Sequence, residues 1–189
     1  LVAATGARCL GPWVPDDGLQ DESWDADTLL AEGDTVDCGG AMLTAIETPG
    51  HVGNHLCYLS EQGLLFTGDH LIQGSTVVIA PPSGCMQAYF ASLRKLQNRG
   101  IKLMAPGHGD VITNPEKILI HTLAHRQKRE DKVLDSLSKD AQPLATLVTA
   151  VYDDVPAFLH GVAQLSLSAH LIKLAEDGKA AETTSGWVL

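Results

Sequence analysis

No apolar run in this 189-residue sequence approaches the roughly 20 residues that a membrane-spanning helix needs. The N-terminal stretch LVAATGARCLGPWVPDD has an early Gly6 and Arg8 and no basic leader, so it does not read as a secretory signal. The expected location is therefore cytoplasmic. Cysteine is sparse: Cys9, Cys38, Cys57 and Cys85 are widely scattered, with no C-x-x-C pair. That excludes both a disulfide framework and a cysteine-type zinc site, and leaves four buried or incidental thiols. Internal repeats and low-complexity tracts are also missing. An apolar content of 44% is ordinary for a globular protein, and the length suits one large domain or two small ones.

Positive charge is scarce in the first part of the chain. Residues 1–110 hold 13 Asp/Glu against 5 Lys/Arg, whereas residues 111–189 hold 10 against 8. An acidic field repels a polyanion, which argues against an extended nucleic-acid surface in the first part. The second part is nearly balanced.

The hydropathy pattern divides at the same place. AMLTAIETP (41–49), HLCYLS (55–60), GLLFTG (63–68) and IKLMAP (101–106) are short apolar runs bounded by Gly, Pro and polar residues, as strands are. Between the last two, Met86, Tyr89, Leu93 and Leu96 recur at helical spacing, with Gly100 as the expected C-cap. From Pro115 a long amphipathic helix is expected, opened by Asn114 as N-cap and Pro115 in the first turn. LATLVTAVY, PAFLHGVAQ and LSLSAHLIKLAEDGK read as three further helical pieces, the last ended by Gly178, and KAAETTSGWVL as a small hairpin. The expected organisation is a strand-rich unit over 1–114 and a helical unit over 115–189.

Three strand ends carry His51, Asp69 and His108, in TPGH, FTGDH and PGHG. A strand running into a glycine turn delivers its side chain to the open edge of a sheet, and neutral imidazole with carboxylate is a chemically apt donor set for zinc. Any one of these residues taken singly is equally a turn residue satisfying loop backbone; three in the same situation point to a site. His55 is either a group that orients a ligand or reaches substrate, or a plain strand-start residue. His70 reads as a packing residue rather than a ligand. His121 and His125, at i and i+4 on the long helix, lack a third ligand nearby and read as solvated or capping, and His160 and His170 as structural.

TPGH, FTGD and PGHG resemble the later motifs of the metallo-beta-lactamase superfamily of metal-dependent hydrolases. HRQKRE (125–130), residues 155–163 and LSAHLIKLAEDGK (167–179) are similar to the winged-helix-like C-terminal domain of its lactamase-beta-2-like branch. The resemblance implies an α+β fold: the C-terminal part of an αββα sandwich, followed by a small helical domain. It also implies that His51 binds a first metal, that His108 binds a second, and that Asp69 bridges both and is the catalytic carboxylate. The family's H-x-H-x-D-H string occurs nowhere in the 189 residues, so the chain reads as N-terminally truncated, with two zinc ions in the intact family site and weak or no metal in this chain.

The expected function is a metal-dependent, dizinc-type hydrolase, inactive in this form, acting on a small-molecule ester, thioester or amide. The alternatives are an endoribonuclease acting on single-stranded RNA, as in some members of the branch, and a non-catalytic binding module. Against both stands the weak positive charge of the helical unit, whose LSLSAHLIKLAED segment offers only His170 and Lys173 as cationic groups. Substrate choice is expected in the loop IQGSTVVIAPPSGCMQ (72–87). A sheet left with an uncovered apolar face would make the chain a homo-oligomer.

Overall fold

The computed structural model describes residues 2–16, 18, 20, 21, 23 and 25–189. A short helix α1 (Val2–Thr5) and a parallel pair of two-residue strands, β1 (Leu10–Gly11) and β2 (Thr28–Leu29), precede the main sheet. That sheet comprises β3 (Thr35–Asp37), β4 (Met42–Glu47), β5 (Leu56–Ser60), β6 (Leu64–Gly68) and β7 (Leu103–Pro106), in sequence order. The first four strands pair antiparallel, and β7 joins β6 in parallel. The parallel step needs a crossover, which α2 (Met86–Leu96) supplies.

Alternation along the strands decides which face is buried. Ile46, Cys57, Leu65 and Met104 are fully buried on one face and share a core with Tyr89, Phe90, Leu93 and Leu96 of α2. Truncating one of these, such as Leu93→Ala, costs about 2–5 kcal/mol through lost burial and the cavity left behind. Tyr58, Phe66 and Ala105 are register partners on the opposite face. There Phe66 stays 41% exposed and Leu103 40%.

The helix α3 (Pro115–Ser136) joins two cores: Leu119 belongs to the sheet core, and Val133 to a second core with Leu147, Val151, Leu167, Leu171, Leu174 and Trp187. That second core is built by α4 (Leu144–Val151), α5 (His160–Glu176) and the hairpin of β8 (Ala181–Thr183) and β9 (Gly186–Val188). Gln142 adds a bridge to Trp187, extending the hairpin by one rung. Between the cores α3 presents buried charge. Arg129 grips both carboxylate oxygens of Asp154 at 2.7 and 2.9 Å and lies over the Tyr152 ring. Glu130 meets Lys173 at 2.8 Å and His170 at 3.3 Å.

Three local expectations are corrected. Helix α2 ends at Leu96 with Gln97 as cap, because Asn98 turns left-handed (φ 61°) before Gly100 is reached. The second and third of the helical pieces expected after α3 are one helix: a 3-10 turn over Ala157–Leu159 leads straight into α5, whose Gly161 sits in the first turn, where it breaks little. Asn114 is the N-cap of α3 but makes no side-chain capping bond. Among the described residues, no helix is long and apolar enough to cross a membrane.

Candidate functional site

Parallel pairing of β6 and β7 puts two strand ends side by side. Gly68 faces Pro106 in register, and the Gly107 amide donates to the Gly68 carbonyl at 2.8 Å. Asp69 follows Gly68 directly, His108 follows Pro106 after Gly107, and their side chains meet with His108 Nε2 3.6 Å from Asp69 Oδ1. Glycine is required here: a Cβ on Gly107 would lie 2.9 Å from Asp69 Oδ1, and one on Gly68, at φ 48°, would lie 2.9 Å from His55 Nε2. Both carboxylate and imidazole are open to solvent, at 43% and 77% exposure.

His51 arrives from the turn after β4. Gly50, at φ 147°, lets that turn press against α2, where a Cβ would meet the Tyr89 backbone at 2.5 Å. Ser92 Oγ holds the Pro49 carbonyl at 2.7 Å. The His51 ring is oriented by Nδ1, which donates to the Val78 carbonyl at 2.7 Å. Such a hydrogen bond is the usual way of fixing a ligating imidazole.

His55 lies beneath these groups. Its Nδ1 is 2.8 Å from the Thr48 hydroxyl, which also approaches Cys57 Sγ at 3.2 Å. Burial holds the His55 imidazole down at about 4, with the His51 ring adding to the effect and Asp69 opposing it, so His55 is neutral near pH 7. His70 is fully buried in the turn after Asp69, packed on Tyr89 (ring centroids 5.0 Å apart) and near His55 (5.8 Å). Burial, with the His55 and His51 rings, pushes its imidazole down to about 3. Among the described residues, neither His70 ring nitrogen has a hydrogen-bond partner. The strand has ended by Gly68, so this placement comes from the turn rather than from strand alternation.

The remaining histidines stand apart. His121 and His125 stack on α3 with centroids 6.5 Å apart, and His160 Nε2 bonds the Tyr152 and Val155 carbonyls. His170 is fully buried against Glu130.

The sequence therefore brings Asp69 and His108 into contact, with His51 and His55 close enough for their charges to interact. Imidazole and carboxylate are suitable donors for a divalent ion. Among the described residues, however, no three His, Cys, Asp or Glu side chains group closely enough to hold one. The residues present fit a metal in kind and not in number. Sequence reasoning missed Thr48 and the Val78 carbonyl; a backbone acceptor leaves no side-chain signature, and a buried threonine in a strand exit is indistinguishable from packing.

Residues 8–108 match the family model for the metallo-beta-lactamase superfamily, and residues 144–187 match that for the beta-lactamase associated winged helix domain. An atrochrysone carboxyl ACP thioesterase of Emericella nidulans is 32% identical over 164 residues, 84% of this chain and 52% of that protein. A beta-lactamase-like protein 2 homolog of Drosophila melanogaster is 29% identical over 154 residues, 79% of this chain and 51% of that protein. A metallo-beta-lactamase family protein of Thermus thermophilus shares the fold with a TM-score of 0.75 at 22% identity, over 86% of this chain and 54% of that one. The chain spans about half the length of the curated relatives it matches. With more than half of its residues matching the family model, the chain belongs to the metallo-beta-lactamase superfamily.

Proposed function

We propose that this chain contributes one part of the active site of a metal-dependent hydrolase, of the zinc type, that cleaves a thioester. The observation that supports it is the meeting of Asp69 and His108 at the end of the parallel strand pair, with His51 and Asp69 both near enough to His55 to interact with it. Similarity to proteins named as acyl carrier protein thioesterases favours a thioester over the ester or amide alternatives. In this reading Asp69 and His108 are solvent-open groups that meet the substrate side. His51, Asp69 and His108 would be the residues of this chain that help to hold the metal, which would supply an activated water and polarise the scissile carbonyl. His55, neutral and pinned by Thr48, supports the Gly68–Asp69 turn from below. The loop 72–87 borders His51 through Val78 and is the segment placed to choose among acyl groups.

Metal uptake by this chain alone should be weak, because each ion would keep one histidine and a shared carboxylate, against the three protein ligands of a catalytic zinc site. The test supplies the H-x-H-x-D-H segment in the same polypeptide and follows acyl-thioester cleavage by release of free thiol. Turnover should appear, Asp69→Ala should abolish it, and His70→Ala should keep most of it. Equal losses from the two substitutions would overturn the division of roles. Cleavage that persists in Asp69→Ala would overturn the proposal.

A further inference from the structure

We propose that the C-terminal helical unit positions His51, with Ser166 of α5 and Arg126 of α3 as the positioning residues, acting through the backbone of residues 77–79. This rests on the reading of His51 as a metal ligand. The Val78 carbonyl that orients the His51 ring and the Ile79 amide N–H belong to one planar peptide group and point in opposite directions. On the carbonyl side stands His51 Nδ1, at 2.7 Å; on the amide side stands Ser166 Oγ, accepting from Ile79 at 3.1 Å. One rigid plane thus connects a side chain of α5 to the ring of the candidate ligand. The preceding peptide is fixed as well: Arg126 Nη2 donates to the Val77 carbonyl.

The contacts on the helical side of this peptide are buried, and the His51–Val78 bond is part-buried. Ile79 is fully buried, and Val77, Ser166 and Arg126 are 7%, 6% and 3% exposed. Inside a protein, bonds at the two ends of one amide polarise each other, so an acceptor at Ile79 strengthens the Val78 carbonyl as an acceptor for His51. Arg126 reaches the other side of the site too. Its guanidinium carbon lies 5.3 Å from the centre of the Tyr89 ring, and the Tyr89 hydroxyl donates to the His70 carbonyl at 3.0 Å, one residue past Asp69. Among the described residues Arg126 is in none of the ion pairs and its Nε has no hydrogen-bond partner. A buried cation so poorly matched is a costly way to join two helices. It is well placed to hold two backbone segments that each lead into a candidate ligand.

The experiment uses the 189-residue chain without metal, labelled with nitrogen-15, at about pH 8, above the ordinary imidazole value of about 6.5. Long-range proton–nitrogen correlation of the histidine rings reports the tautomer of His51, and circular dichroism reports the fold. The wild-type His51 ring should be a single Nδ1–H tautomer. In Ser166→Ala and in Arg126→Met it should become a mixture, while Ser166→Thr and Arg126→Lys, which keep the acceptor and the donor, should restore the single form. The exposed His121 ring should be unchanged throughout. A wild-type ring that is not the Nδ1–H form, or one that stays single in both disruptive variants, overturns the proposal. Should Ser166→Ala lose its folded spectrum, Ser166→Cys against Ser166→Thr carries the same comparison, because sulfur is the weaker acceptor. The reading of His51 as a ligand is tested separately. In the form carrying the H-x-H-x-D-H segment, Ser166→Ala should weaken zinc binding about 10-fold. Zinc binding untouched by His51→Gln would overturn that reading while leaving the ring result standing.

Discussion

Glu130 is the group whose removal should cost this protein most for the fewest atoms. Its side chain is 4% exposed, with one carboxylate oxygen 2.8 Å from Lys173 and the other 3.3 Å from His170, so it ties α3 to α5. Burial alone would raise its pKa, but the bonds from His170 and Lys173 together outweigh burial and hold the carboxyl below its ordinary value. Burial keeps His170 on the neutral side, so the ionic partner is Lys173 and His170 acts as an N–H donor. Removing one member of a buried pair costs about 3–5 kcal/mol, chiefly by leaving the other charge uncompensated. Lys173 is 16% exposed and keeps Asp177 at 2.8 Å, which places Glu130→Ala near the low end, at about 3 kcal/mol. Glu130→Gln keeps the volume and an acceptor and should cost about 1–2 kcal/mol.

The assay is urea unfolding followed by far-ultraviolet circular dichroism, repeated as a function of pH. Because the folded pKa of Glu130 lies below the unfolded value of about 4.5, its charged contribution is complete above that pH. It is lost as pH falls toward the folded value, so the gap between wild type and Glu130→Gln should close in acid. A loss under about 1 kcal/mol for Glu130→Ala, or a gap that widens in acid, would refute the reasoning.

Two further outcomes are expected. His55 and His70 are held neutral by burial, at about 4 and about 3. Their contribution to stability is therefore full above the unfolded imidazole value of about 6.5 and falls away below it. At pH 5 each should cost on the order of 2 kcal/mol, and metal-free unfolding that is flat between pH 7 and pH 5 would contradict this. The half-open sheet face around Phe66 and Leu103 is expected to be covered by a second copy of the chain. Sedimentation should then show a dimer that Phe66→Glu converts to monomer; a compact wild-type monomer at micromolar concentration would refute the pairing.

The sequence by itself determined the periodic elements and the strand exits. Short apolar runs between glycines became β4 to β7, the 3.6-residue repeat of Met86, Tyr89, Leu93 and Leu96 became the buried face of α2, and Pro115 opened α3. Those signals are local: alternation, helical spacing and turn chemistry act within a few residues of chain. The same locality made TPGH, FTGDH and PGHG legible as three side chains bound for a sheet edge. Only tertiary structure decided which of them touch. The parallel step from β6 to β7, closed by α2, sets Asp69 beside His108, and no property of either segment alone specifies that register. The run HRQKRE was legible only as part of a long amphipathic helix; packing between the two cores buries Arg126, Arg129 and Glu130 and turns them into cross-braces. Residues 77–79 carry no side-chain signal at all. Their role comes from peptide groups whose partners lie 27 to 87 residues away, and such pairing exists only once both cores have formed.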